Sequence, residues 1–534
     1  MSGGSLRPFD NHGAFRPTAD VSELRRLAVR GAGATLLSSS FSLGIQVFAT
    51  VVLARILTPS DFGLVAMVTT FSLLLVNFGL NGFTEAILQW DELNHFLASN
   101  LFWINIGAGL VLTIAFAAAG SLMARFYGDP RVAEVAIGVS WTILITSASV
   151  LHIALLKRGM RFPEASANDV IARVVSVVVS IFLGLLGWGY WALVAGAIAQ
   201  PLSQSVGAWA MCRWIPSLPR KIAGTGSMVR FAMNIYGRFS INYLARNTDN
   251  LLVGWRWGSG PLGFYKKAYD LFLLSASQLV SPLTAVAVSA LSRLNKDSVR
   301  YKHYLLSSLG MTAFVGMGLG ADLTLVGKDV IRLLLGPGWD TAGRIFTLFG
   351  PGIGIMLLYG THGWIHLSIG TADRWLRWVF VEFTVTALLF LLGMRWGPEG
   401  IAVAWTASFW ILTIPAFWYA GRPVHFGIAP VVGAVWKYIV ASLLAGYASA
   451  TIIREVPALA ARSDSMGAVL RIGTTSALFG ALYLSAVILL HQGFAPLRQA
   501  IALFGEMVFC RKFSGLPLPL GATCNAEAST GSAP

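Results

Sequence analysis

Charge is scarce in this chain. Only 12% of its 534 residues are Asp, Glu, Lys or Arg, about half the share of a soluble domain, which is about 25%. That deficit excludes an ordinary water-facing globule. Cysteine is scarcer still. Cys212, Cys510 and Cys524 are the three present, far apart and without CxxC spacing, so neither a disulfide framework nor a zinc site is expected. No polybasic run exists, so the net charge of +15 does not point to nucleic acid. The opening residues carry no signal-peptide apolar region, and insertion is expected to start at the first span. No connection is long enough for a soluble catalytic domain, and no DxD motif occurs. His152 and His303 stand alone. His362 and His366, four apart, lack the glutamate of HExxH. The glycine-rich stretches at 316–320 and 350–354 follow no strand and precede no GK[ST], so they read as close helix approach and not as phosphate loops. A membrane enzyme is therefore not the expected class, and no catalytic or metal-binding residue is assigned.

What the chain has is apolar length. Hydrophobic residues make up 55% of it, in runs of about 20 residues, the length that crosses a bilayer. The runs fall near 34–54, 62–84, 99–122, 133–156, 169–187 and 190–211. Six more follow near 228–254, 262–290, 304–327, 344–369, 375–394 and 399–420, and two near 432–453 and 469–490. The expected fold is an all-α integral membrane protein of about 14 transmembrane helices. Residues 1–33 read as a cytoplasmic segment, with 1–20 disordered and a short amphipathic helix over 21–33. Residues 34–211 form a first lobe, 212–227 a cytoplasmic linker and 228–420 a second lobe. Residues 421–494 hold two further helices and 495–534 a disordered cytoplasmic tail. Lys157, Arg158, Arg161, Arg213, Arg220, Lys221 and Arg230 sit in the same set of alternate connections as the N-terminus, which predicts both termini in the cytoplasm. Trp188, Trp191, Trp255, Trp257, Trp364 and Trp396 lie at predicted span ends, as an aromatic belt would.

One stretch departs from the apolar rule. Residues 234–282 could form two spans, yet they carry Arg238, Arg246, Asp249, Arg256, Lys266, Lys267 and Asp270. A charge deep in a bilayer costs roughly 2.5–3.5 kcal/mol on insertion scales. Such charges are expected to face protein or a water-filled cavity.

The chain also repeats itself. VLARILTPSDFGLVAM (52–67) aligns with LVGWRWGSGPLGFYKK (252–267), placing Phe62-Gly63 on Leu262-Gly263. LGWGYWALVAGAIAQ (186–200) aligns with RWGPEGIAVAWTASF (395–409), each a glycine-rich hairpin between spans. The common order predicts two six-helix lobes related by a pseudo-two-fold axis along the membrane normal, enclosing a central site.

Three segments carry a family resemblance: 54–89 (ARILTPSDFGLVAM onward), 155–194 (LLKRGMRFPEASANDV onward) and 246–297 (RNTDNLLVGWRWGSGPLGFYKKAYD onward). Together they resemble the bacterial polysaccharide transporter family, in its colanic-acid-exporter or O-antigen-flippase-like branch, within the multidrug/oligosaccharidyl-lipid/polysaccharide exporter superfamily. The resemblance covers roughly residues 30–420. It implies flipping of undecaprenyl-pyrophosphate-linked oligosaccharide from the cytoplasmic to the periplasmic leaflet of the inner membrane, for exopolysaccharide or lipopolysaccharide biosynthesis. It also implies ion coupling by H+ or Na+, and membrane lipids and polysaccharide polymerase or export machinery as partners. GWRWGSG (254–260) stands where the family has a compact apolar turn, and the tail is longer.

A lipid-linked pyrophosphate needs fixed counter-charge at mid-membrane, and arginine's planar fork suits phosphate oxygens. The substrate-binding candidates are Arg238, Asn242, Arg246, Asp249, Lys266 and Lys267, with Arg55 and Arg173 in the first lobe. Arg238, Asn242 and Arg246 recur every four residues and share one helix face. Lys266, Lys267, Arg55 and Arg173 read equally as interfacial anchors, and Asp249 with Arg246 as a packing ion pair. Asp270, Asp322 and Glu382 are candidates for ion coupling, because a carboxylate in a dry site holds a proton near neutral pH. A drug or metabolite cation antiporter of the same superfamily is the alternative; it predicts fewer cationic residues on the seventh and eighth spans. A membrane polysaccharide polymerase or glycosyltransferase is the third reading.

Overall fold

The structure is a computed structural model. It describes residues 8–10, 12–15, 21–90, 93–222, 224–295, 297–455 and 465–499. Within helices, the side chains at 21–25, 28–29, 81, 238, 241–242, 245–246, 275–283, 285–286, 372 and 465 are outside that description. The chain is helical from Val21 onward. The helices are α1 (Val21–Ile56), α2 (Pro59–Gln89), α3 (His95–Tyr127), α4 (Arg131–Arg158), α5 (Phe162–Leu185), α6 (Tyr190–Cys212), α7 (Thr225–Trp257), α8 (Ser259–Leu294) and α9 (Ser298–Leu335). After them come α10 (Asp340–Gly360), the short α11 (His362–Ser368), α12 (Ala372–Gly393), α13 (Gly397–Gly421), α14 (Ile428–Arg454) and α15 (Ser465–His491). Among the described residues, ten segments are long and apolar enough to cross a membrane. Helices α6, α7 and α8 fall outside that group; in α7 the residues Arg230, Arg238, Arg246, Asp249 and Arg256 interrupt the apolar run.

Helix starts follow local chemistry. Thr58 caps α2: its hydroxyl accepts from Asp61 N, and Asp61 returns a carboxylate to Thr58 N, with Pro59 in the first turn. Such a reciprocal cap stabilises a helix by about 1 kcal/mol. The repeat copy uses a different device. Gly258, at φ +82°, ends α7 and begins α8 in one residue, a turn that side chains resist. Asn94 caps α3 and Asp297 caps α9 through side-chain oxygens. Pro351, inside α10, removes one hydrogen-bond donor, and a break at Thr361 separates α10 from α11.

The expected repeat is present in the packing. In the first half α1 lies against α5, α5 against α6, and α4 against α2, α3 and α6. In the second half α7 lies against α12, α12 against α13, and α10 against α8, α9 and α13. Shifting the first set by six spans, with α10 and α11 counted as one, reproduces the second. Helices α14 and α15 pack on each other and on α9, and Arg471 of α15 grips Asp329 of α9 at 2.6 Å. They belong to the second half.

The sequence reading of residues 1–33 needs correction. Residues 21–33 do not form a separate helix; they are the first turns of α1, of which Arg30–Ile56 is the membrane-spanning portion. Nor is the described part of 1–20 without structure. Phe9 is buried against Phe15, His95 and Trp214. The segment pairs with the α2–α3 turn, Phe15 N donating to Leu93 O and His95 N to Gly13 O. The Arg158 guanidinium lies over the Phe15 ring at 5.1 Å. Aromatic burial explains the folding of so short a segment. Trp364 is also displaced from the belt: it is buried in α11 and donates to Thr284 Oγ1. Trp188, Trp255 and Trp396 are exposed, as a belt requires. The tail from 500 to 534 lies outside the described residues.

Candidate functional site

The two halves meet at α2 and α8. Their first turns cross so closely that no side chain fits between them. A Cβ placed on Gly63 would lie 1.7 Å from the Ser259 carbonyl oxygen, and one on Gly263 would lie 1.8 Å from that of Pro59. Gly63 and Gly263 are the glycines that the internal alignment superposes, and Pro59 superposes on Ser259. The crossing is therefore close to a two-fold contact of the chain with itself. Ser60 and Ser259 hydroxyls meet across it at 2.8 Å. Nearby, Trp339 Nε1 donates to Ala54 O at 2.8 Å, and Arg55 Nη2 to Leu333 O at 2.9 Å, joining the end of α1 to the end of α9. One end of the seam is thus shut by small residues and backbone bonds.

Further along, α2 packs on α7 as well. Tyr243 and Tyr236 hydroxyls donate to Thr70 O and Leu74 O of α2. The pseudo-symmetric partner of this contact would be α1 against α8. Among the described residues those two helices make no comparable contact. Among the described residues the seam is closed along the α2–α7 flank and is looser along the α1–α8 flank.

The polar residues of α7 and α8 gather just inside the glycine crossing. Asp249, 1% exposed, accepts from Tyr265 Oη at 2.8 Å and from Asn250 N. Lys266 and Asp270, one helical turn apart, form a half-exposed ion pair. The Lys267 ammonium lies 4.0 Å from the centre of the Phe62 ring, a cation–π contact across the seam. The pairing of Lys266 with Asp270 joins two residues that the sequence reading placed in different roles. The side chains of Arg238, Asn242 and Arg246 lie outside the described residues; their backbone is helical, in the middle of α7.

The first-half candidates are elsewhere. Arg55 lines a cavity of about 640 Å³ beside Thr58, Arg332, Gly336 and Trp339. Arg173, on α5, pairs with Asp169 at 3.7 Å. Neither joins the α7–α8 cluster. Of the acidic candidates, Asp322 faces α15, where the Ser476 hydroxyl donates to it at 3.1 Å; its Oδ1 is buried and has no hydrogen-bond partner among the described residues. Glu382 is half-buried on α12. Asp270, Asp322 and Glu382 thus occupy three separate helices.

Tyr265 is the residue that pattern reading missed. Its ring is fully buried, and a hydrogen bond to a carboxylate contributes about 1.5–3 kcal/mol. Tyr265→Phe keeps the ring and removes the donor. It should lower the melting temperature of the detergent-solubilised protein by a few degrees while Lys266→Gln leaves it nearly unchanged, because that ion pair is partly solvated. Equal melting of Tyr265→Phe and wild type would show that Asp249 is satisfied in another way.

The fold defined by these helices is that of a two-lobed membrane transporter. It superposes on the lipid II flippase MurJ in an inward closed conformation with a TM-score of 0.69 at 14% identity, covering 86% of this chain and 98% of that one. It superposes on an inward-facing multidrug resistance MATE family transporter with a TM-score of 0.56 at 13% identity, covering 73% and 98%. Residues 52–343 match the polysaccharide biosynthesis protein family, and the chain belongs to that family. Among similar proteins, the succinoglycan biosynthesis transport protein ExoT of Rhizobium meliloti is 22% identical over 71% of this chain and 77% of its own. The lipopolysaccharide biosynthesis protein WzxC of Escherichia coli is 23% identical over 79% and 85%. The teichuronic acid biosynthesis protein TuaB of Bacillus subtilis is 24% identical over 61% and 67%.

Proposed function

We propose that the protein flips undecaprenyl-pyrophosphate-linked oligosaccharide repeat units from the cytoplasmic to the periplasmic leaflet of a bacterial inner membrane, by alternating access and without covalent catalysis. The observation that carries this reading is the Gly63–Gly263 crossing, which seals one end of the seam between two repeated halves. A transporter needs such a seal at one face at a time. With both termini in the cytoplasm, the sealed end is periplasmic. The looser flank between α1 and α8 then gives a lipid-borne substrate a sideways route, with its tail left in the bilayer. The relatives bear on the cargo: they are named for succinoglycan, lipopolysaccharide and teichuronic acid biosynthesis.

In this reading Arg238, Asn242 and Arg246 on α7, with Lys266 and Lys267 on α8, hold the pyrophosphate, and Asp249 fixes α7 to α8. Arg55 acts at the periplasmic closure, and Arg173 at the inner part of the first lobe. Asp270, Asp322 and Glu382 are the sites for a coupling H+ or Na+. Deletion of the gene should accumulate lipid-linked oligosaccharide on the cytoplasmic leaflet and abolish the surface glycan. Unchanged glycan with altered drug tolerance would replace this reading with the antiporter. Arg238→Ala and Arg246→Ala should each abolish glycan export while the protein still inserts. Normal export from both variants would remove α7 from the substrate path.

A further inference from the structure

The connection between the two halves, described over residues 213–222, is pinned to the start of α3. The Trp103 indole donates to Ser217 O at 2.9 Å, and Ser217 N donates to Ser99 Oγ at 3.0 Å. Asn100 then treats Arg220 as a strand would: it accepts from Arg220 N at 2.9 Å, donates to Arg220 O at 2.6 Å and also donates to Thr225 Oγ1. The strap so formed encloses, with α3, an open cavity of about 770 Å³, whose lining includes Asn100, Trp103, Ile104, Arg220, Lys221 and Thr225.

Three features decide what this cavity takes. Arg220 and Lys221 are exposed and, among the described residues, have no acidic partner; the Arg220 guanidinium rests on the Phe96 ring at 4.7 Å. Beside them the strap exposes Ile215 and Leu218, at 78% and 76%, which water would not favour. From the cavity, Trp103, Ile104, Leu110, Val111, Ile114 and Leu122 form an exposed stripe up α3, at the three-and-four spacing of one helix face. A phosphate between Arg220 and Lys221 would have its acyl chains lying on that stripe.

We propose that this cavity is a binding site for an anionic membrane phospholipid, with phosphatidylglycerol as its simplest ligand. The stripe is exposed along α3, whereas the residues that meet at the seam lie on α2, α7 and α8, which favours a resident bilayer lipid over the carried one. Basic pockets between membrane helices on the cytoplasmic side recognise anionic headgroups in this way. The leaflet rests on the orientation proposed above; the binding itself does not. The bound lipid would hold the strap, and with it the start of α7, against α3.

The test is lipid retention by the full-length protein, extracted from mixed phosphatidylglycerol–phosphatidylcholine vesicles and read by native mass spectrometry. Wild type should retain phosphatidylglycerol preferentially, Arg220→Gln/Lys221→Gln should lose that preference by roughly tenfold, and Arg220→Lys/Lys221→Arg should keep it. Equal retention of the two lipids by wild type, or equal phosphatidylglycerol retention by wild type and the Gln pair, would overturn the proposal. So would displacement of phosphatidylglycerol by undecaprenyl diphosphate in wild type but not in the Gln pair, which would give the cavity to the carried lipid. None of these readouts depends on transport, so the lipid site and the flippase reading can fail separately.

Discussion

With Ser60→Cys and Ser259→Cys in a background lacking the three native cysteines, oxidation should stop glycan export and reduction should restore it. The two hydroxyl oxygens are 2.8 Å apart, and the flanking backbones cross without a side chain between them. A disulfide needs its Cβ atoms about 3.5–4.5 Å apart, and two hydroxyls in hydrogen-bond contact hold their Cβ atoms near that separation. Either single variant should export normally under both conditions. The experiment also reports orientation. A periplasmic crossing should oxidise during growth, whereas a cytoplasmic one should stay reduced until an oxidant is added. Export that continues with the bond fully formed would mean that α2 and α8 do not part during transport.

The second large effect is expected from filling the crossing. Gly63→Leu puts its first side-chain carbon 1.7 Å from the Ser259 oxygen, so the helices must separate by about 2 Å to recover a carbon contact of about 3.5 Å. Overpacking of this kind costs about 1–3 kcal/mol, and here the cost falls on the sealed state alone. A ligand-free equilibrium shifted by that amount moves roughly 5- to 150-fold toward the open form. Export should fall accordingly, with the protein still inserted and folded. Gly263→Leu should behave the same way, because its neighbour is Pro59 at 1.8 Å. The double variant should be little worse than either single one, since both relieve the same contact. Wild-type export from Gly63→Leu would show that the seal is not needed in the transport cycle.

These predictions start from a feature that was legible before any coordinates. The 200-residue offset that superposes Phe62-Gly63 on Leu262-Gly263 made the repeat visible; that the two glycines meet across the seam is seen only in the structure. A glycine pair repeated in register is visible because it is a rule about what cannot be there. The charges of α7 and α8 were legible for the same reason, as exceptions in an apolar run. Their partners were not. Nothing in the spacing of Asp249 and Tyr265 says that they meet; that follows from the single-residue turn at Gly258, which folds α8 back along α7. Lys267 was read as a cavity or interfacial cation because sequence pattern treats a lysine as a charge, whereas here its ammonium sits over a phenyl ring from the other half.

The strap and the N-terminal fold-back were invisible for a different reason. Asn100 stands at the start of an apolar run and looks like a tolerated polar residue. Its value lies in satisfying backbone groups of a segment more than a hundred residues away, and a buried amide with that role leaves no periodic trace. Phe9 and Phe15 sit among polar residues and glycine, a composition that reads as unstructured until Trp214 and His95 are placed beside them.

The attachment of α14 and α15 gives the molecule a built-in ruler. Those helices ride on α9, while the segment around Phe9 is fastened to α3 and the α2–α3 turn. A donor fluorophore beside Phe9 and an acceptor beside His491 would therefore be mounted on opposite halves. Energy transfer between them would report any change in the separation of the two halves in a single molecule, without a label near the α7–α8 cluster.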